Sequence, residues 1–151
     1  MRGTRTRLGW RSERGQALIE AALITPVVLL IMVGIFEVGR AYQTWQVLTN
    51  AAREGARAAV VPGANTDTVK AIVKQYMSDG QLSEAENADV AVNQAATLVV
   101  NGTNIGATLV TVDYPFEFMM LQPVASLVNP NTEAGKPLTM RATSLMRNEA
   151  Q

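Results

Sequence analysis

Glu20 is the residue whose type and place demand a chemical reason. It is the one charge in the otherwise uncharged run of residues 17–36, and a carboxylate inside a bilayer core is costly unless it pairs or serves a function. Little else in the chain could do chemistry. There is no histidine and no cysteine, which removes the commonest general base, the commonest metal ligand and every thiolate at once. No glycine loop of phosphate-binding pattern and no paired-carboxylate motif is present. Glu84, Glu86 and Asp89 form the densest group of acids, but with Asn87 among them they read as a solvated turn. The expectation is a protein with no catalytic residue, no metal, no cofactor and no small-molecule substrate. A proton or ion carrier built on Glu20 would need several helices with polar partners, and one acid on one helix supports it poorly.

The element that must carry Glu20 is a helix. Residues 17–36 are long enough to cross about 30 Å of hydrocarbon at the standard rise of about 1.5 Å per residue. Ahead of them, residues 1–15 hold Arg2, Arg5, Arg7, Arg11 and Arg14 against Glu13, a net +4, which leaves −4 for the rest of the neutral chain. Basic residues gather on the cytoplasmic side of membrane spans. The pattern therefore predicts a cytoplasmic leader over 1–15, a transmembrane segment over 16–36 and an exported domain over 37–151. A cleaved secretory signal is the rival reading. The apolar run is long for one, and no small-x-small site follows it. A nucleic-acid role for the arginine arm is set aside because the arm abuts a membrane segment.

The helical pattern does not stop at the membrane edge. Val38, Ala41, Tyr42, Trp45, Leu48, Ala52, Ala56 and Ala59 recur at three-and-four spacing, up to the stop at Val61-Pro62-Gly63. One helix of about 70 Å is expected from Glu13 to Val60, with Pro26 inside its membrane half and a disordered leader before it. Its outer half offers a packing stripe, notably Val38, Tyr42, Trp45, Leu48 and Ala52, to the rest of the domain. Glu37 and Arg40 read as an i,i+3 pair at the headgroup level. Val69, Ile72, Val73, Tyr76 and Met77 outline a second helix, with N-cap candidates Asn65, Thr66 and Asp67 and a stop at Gly80. Short β-rich runs follow at 88–93, 97–100 and 108–112, with residues 101–106 as a turn-prone linker. Pro115 is expected to end the third run. Residues 117–136 read as a loop with a helical turn near Val124 to Val128, and 137–147 as a last strand. The fold class is α+β, with three or four antiparallel strands packed on the outer half of the long helix.

Gly15, four residues, then Glu20 at the head of an apolar helix resembles the processing site of type IV prepilins. The chain resembles more closely the TadE-like pseudopilins of tight-adherence pilus systems. The matching residues are Arg14-Gly15-Gln16-Ala17-Leu18-Ile19-Glu20-Ala21-Ala22-Leu23, Pro26, Gly34-Ile35-Phe36-Glu37-Val38-Gly39-Arg40 and Leu48-Thr49-Asn50-Ala51-Ala52-Arg53-Glu54-Gly55-Ala56-Arg57. Thr111 to Phe116 and Ala142 to Arg147 look like the later strands of that family. Ala21 departs from the pattern, since the best-defined cleavable members carry an aromatic there.

The resemblance implies cleavage by a prepilin peptidase between Gly15 and Gln16, where a residue without Cβ lets a protease reach the backbone. The new amine on Gln16 would then neutralise Glu20 of a neighbouring subunit, a buried pairing that sets register more than stability. Without assembly, Glu20 would snorkel to the headgroups. The implied role is a non-enzymatic, minor pilin-like component anchored in a bacterial inner membrane, with a companion pseudopilin, the major pilin and the inner-membrane platform as partners. The alternative is an uncleaved single-pass protein whose exported domain binds an envelope or secretion partner.

Overall fold

A computed structural model of the chain describes residues 10–128, 131 and 133–148. Its elements are α1 (Trp10–Ala59), α2 (Thr66–Asp79), β1 (Asp89–Val100), β2 (Thr103–Phe116), α3 (Leu121–Val128) and β3 (Leu138–Arg147). This is the expected α+β arrangement: one long helix, a short second helix and a three-stranded antiparallel sheet in the order β1-β2-β3. The helix α1 runs unbroken for 50 residues, through Pro26, and is about 75 Å long at the standard rise. It begins inside the stretch expected to be disordered, because Arg11, Glu13 and Arg14 are good helix formers with no breaker among them. Residues 1–9 of the leader lie outside the described residues.

The second helix is capped as its sequence suggests. The Asn65 side chain accepts a hydrogen bond from the Asp67 amide at 2.7 Å, and Gly80 ends the helix. Gly80 is there for proximity and not for a left-handed turn. Its φ is −75°, whereas an added Cβ would come within 2.5 Å of a Val47 methyl on α1. The left-handed position falls to Gln81, at φ 62°.

The sheet departs from expectation at two points. Residues 101–106 are not a linker. Asn101 and Gly102, at φ 51° and 78°, form a two-residue turn between the paired Val100 and Thr103, the conformation that matches strand twist in a hairpin. Pro115 does not end β2, which continues to Phe116. β1 begins at Asp89, opposite Asp113, so β2 at Pro115 has a neighbour on the β3 side alone, where it faces Thr139. A residue without an N–H is tolerated in such an edge position. A bulge shifts the β1–β2 register between Asn93 and Ala96.

β2 runs back along α1. Its end is beside the middle of the helix, with the Arg40 guanidinium 5.3 Å from the Phe116 ring centre. Val110 lies against Gly55. The two intervals match: fifteen helical residues rise about 22 Å, and six strand residues about 20 Å. The tip of the β1–β2 hairpin therefore points away from the membrane half of α1. The β3 side reaches no further out than Gly106, whose carbonyl accepts from the Asn148 amide at 3.0 Å, so residues 103–105 pair with β1 alone.

The expected packing stripe splits. Leu48 and Ala52 are fully buried, but Val38, Tyr42 and Trp45 are 70%, 63% and 46% exposed. The buried face is turned toward Glu37, Thr44, Leu48, Ala51, Ala52, Gly55, Ala56 and Ala59. The reason is closeness of approach. α2 and the sheet both pack on this face, and at Gly55 a Cβ would sit 2.4 Å from a Val73 methyl. Small residues admit that contact and large ones do not. Phe116, Leu48, Met77, Val69, Val73, Val110 and Val112 fill the core between them.

On the outer face of the sheet, Asp113 and Arg141 are register partners. Arg141 donates to both Asp113 oxygens at 2.7 and 2.8 Å, and this hydrogen bonding holds the carboxyl below its ordinary range. A lowered carboxylate contributes stability above its ordinary range and loses it as pH falls through the lowered value. Asp113→Asn should thus lower the thermal midpoint slightly at neutral pH, with the difference from the parent vanishing in strong acid. Gly55→Val should destabilise by about 1–3 kcal/mol through overpacking, whereas Val38→Ala should be nearly silent. Denaturant unfolding of the detergent-solubilised chain followed by near-UV circular dichroism tests both.

Candidate functional site

The candidate functional residues lie at two levels of α1. The first is its beginning. Gly15, Gln16 and Glu20 all fall inside the helix, so the Gly15–Gln16 peptide is a helical one. An ideal Cβ at Gly15 would meet nothing within 4 Å, and Gln16 and Glu20 are exposed. No other described element covers them. Gln16 and Glu20 stand at i,i+4, which puts their side chains on one face. Proteolysis needs an extended backbone, and glycine is the weak point of such a helix, at about 1 kcal/mol less favourable than alanine. The site is therefore physically open but must unwind locally to be cut.

Past it, α1 is the one helix among the described residues long and apolar enough to cross a membrane, and none of its most apolar window is buried by the rest of the chain. Leu23, Val27, Ile31 and Ile35 are each more than half exposed, as a surface made for lipid would be.

The second level is the junction, where α1 leaves that apolar segment. Glu37 is not the solvated headgroup marker expected from its sequence; its side chain is 1% exposed. A buried carboxylate needs partners, and it has three. Arg40 Nη1 donates to Oε2 at 2.9 Å, while the amides of Met120 and Leu121 donate to Oε1 at 2.5 and 3.4 Å. Those amides open α3, so a side chain of α1 caps a helix 83 residues later in the chain. Free N–H groups and the helix dipole both favour an anion there. Arg40 also donates to the Glu117 carbonyl at 3.3 Å and stacks on Phe116, whose ring meets Phe118 edge-on at 5.2 Å. The Glu37–Arg40 pair thereby ties the apolar segment to the end of β2 and the start of α3.

Residues 15–57 match the family model for TadE-like protein. Over that stretch the chain is similar to TadE-like proteins. The TadE-like segment covers both levels: it starts at the glycine of the opening motif, takes in Glu20, Glu37 and Arg40, and ends at Arg57. No curated protein and no solved structure matches the chain. Family match and apolar helix together fit a membrane protein associated with the tight-adherence pilus.

The remaining polar residues of the TadE-like segment have local roles. Arg57 forms a two-point bond to Glu54, at 2.6 and 3.0 Å, which holds the Glu54 carboxyl below its ordinary range. Further on, Glu84 accepts from Asn87 at 2.6 Å, and Glu86, largely in solvent, approaches Lys74 at 3.8 Å. Among the described residues no group of three or more acids is placed to hold a metal ion.

The role of Glu37 escaped sequence reasoning because two of its three donors, the Met120 and Leu121 amides, lie 83 and 84 residues further along the chain. A signal was present. Glu37, Thr44, Leu48 and Ala51 recur at 7, 4 and 3, which places Glu37 on the small-residue face and not on the exposed one. Removing the carboxylate in Glu37→Ala should expose the Met120 and Leu121 amides to hydrogen exchange, with Glu37→Gln losing less because its amide oxygen still accepts. Arg40→Ala should cost more than either, about 3 kcal/mol or above, since it leaves a buried charge without its ion partner. Amide exchange and unfolding of the three variants in detergent check the order.

Proposed function

We propose that this chain is a minor pilin-like assembly component, a pseudopilin, of a tight-adherence pilus. The match of residues 15–57 to the TadE-like model supports this reading above all. In it, α1 anchors the chain in a bacterial inner membrane with the arginine-rich head in the cytoplasm. The domain built on its outer half stands outside. A prepilin peptidase removes residues 1–15, and the amine of Gln16 pairs with Glu20 of an adjacent subunit. The chain is a substrate and a structural partner, not an enzyme. Its partners are a companion pseudopilin, the major pilin and the membrane platform of the pilus. The small-residue face of α1 is already filled by the chain's own domain, so contacts to those partners fall on the exposed side with Val38, Tyr42 and Trp45.

A second reading is favoured by one observation: the helix passes through Gly15 without a break from Trp10. An uncleaved single-pass anchor whose domain binds an envelope or secretion partner would look the same. Intact mass of the protein taken from membranes of cells that hold the peptidase separates the two. Loss of residues 1–15, abolished by a bulky replacement of Gly15, is the expected result. A full-length mass in those cells overturns the processed pseudopilin and leaves the uncleaved anchor.

A further inference from the structure

Residues 118–128 carry no charged side chain, and they form the α3 region, where the sequence suggests a loop with a helical turn near Val124 to Val128 and the structure has a helix over Leu121–Val128. Their apolar members are not all turned into the domain. Met119 and Met120 are 61% and 44% exposed, in the two positions immediately before α3. Isolated exposed apolar residues are ordinary, but two adjacent exposed methionines in an uncharged stretch are a candidate contact.

Its position says what it contacts. The Met120 and Leu121 amides are bonded to Glu37, the residue that directly follows Phe36 at the end of the apolar run. Ile35 and Phe36 are themselves 70% and 47% exposed. The first turn of α3 is therefore held at the height where α1 passes from its apolar half to its domain half. It is also clamped from its other side. Gly135, at φ +79°, lies so close that a Cβ there would meet the Gln122 amide nitrogen at 2.5 Å. A buried carboxylate and a tight glycine contact thus fix an uncharged helix beside the membrane segment, while the apolar side chains at its start are left without cover.

We propose that α3, with Met119 and Met120 leading, lies in the headgroup and upper acyl region of the bilayer as a second, interfacial membrane contact of this chain. The occupant of the surface is lipid. The exposed apolar surface of α1 continues up to Phe36, and the lipid that covers it reaches the level of Glu37. An interfacial helix lies along the membrane plane with its apolar side chains a few ångströms into the boundary, about 5–10 Å. Two contacts, one spanning and one lying on the surface, fix the tilt and rotation of the domain over the membrane, which one helix alone leaves free. The proposal rests on α1 crossing the bilayer and not on any pilus role.

The absence of cysteine permits a direct test. Single-cysteine variants Met119→Cys, Val28→Cys and Val99→Cys of the full chain are labelled with an environment-sensitive fluorophore and reconstituted into phosphatidylcholine vesicles. Val28 reports the spanning helix, and Val99 reports the far end of β1. The expected result at Met119 is a blue-shifted emission, quenched more by a shallow spin-labelled lipid than by a deep one and little by aqueous iodide. Val28 should respond to the deep lipid and Val99 to iodide. If Met119 responds to iodide and not to lipid while Val28 responds to lipid, the interfacial contact is overturned and the anchor stands. Shielding of Met119 from both quenchers means that protein covers it, which also overturns the proposal. If Val28 fails to respond to lipid, the anchor itself fails and the interfacial contact with it.

Discussion

A carboxylate removed from water has to find donors, and Glu37 finds them in three places at once: on its own helix at Arg40 and at the two amides that open α3. Most of what is distinctive in the architecture follows from that requirement. One helix serves two environments, lipid below and a protein core above. The change occurs within a single residue, from exposed Phe36 to buried Glu37. A neutral residue at 37 would pack equally well on either side of the boundary. A charged one with fixed donors cannot slide by a turn without losing them, so it sets the height of the domain on its anchor.

Above the junction, geometry is governed by closeness. α1 is flanked by α2 and by the sheet, and its buried face is alanine, threonine and glycine with Leu48 as the one large aliphatic member. Bulk is supplied from the other side, by Val69, Val73 and Met77 of α2 and by Val110, Val112 and Phe116 of β2. The large residues of the outer half of α1 are left over. Val38, Tyr42 and Trp45 stay exposed on the side of the domain half that α2 and the sheet do not cover. The strands run along α1, so the hairpin reaches outward and its turn, set by Asn101 and Gly102, stands farthest from the bilayer.

Much of this was legible in the sequence. Local codes are reliable where neighbours in the chain decide: the span and length of α1, the Asn65 cap and Gly80 stop of α2, the β-rich runs and the last strand all follow from periodicity and capping. The opening motif likewise depends on residues a few positions apart, and the family match begins at its glycine. Three readings failed for one shared reason. Pro115 was expected to break a strand, but the strand it sits in has no neighbour on one side there. Residues 103–106 looked like linker, but pairing to 97–100 makes them strand. The packing stripe places Val38, Tyr42 and Trp45 beside Leu48 and Ala52, but only the last two are buried, because α2 and the sheet approach the neighbouring small-residue face.

The sequence by itself determined that a helix carries a lone acid near the start of a membrane-length segment and continues beyond it into an α+β domain, because hydropathy and helical period are properties of contiguous residues. Only the tertiary structure decided which face of that helix is buried, that Glu37 is a buried cap rather than a surface charge, and that the start of the helix after Phe116 is pinned to Glu37 at the end of the apolar segment. Each of those depends on atoms brought together from positions tens of residues apart. Whether a side chain is solvated, and hence what its charge costs, is settled by those distant neighbours and not by its own place in the chain.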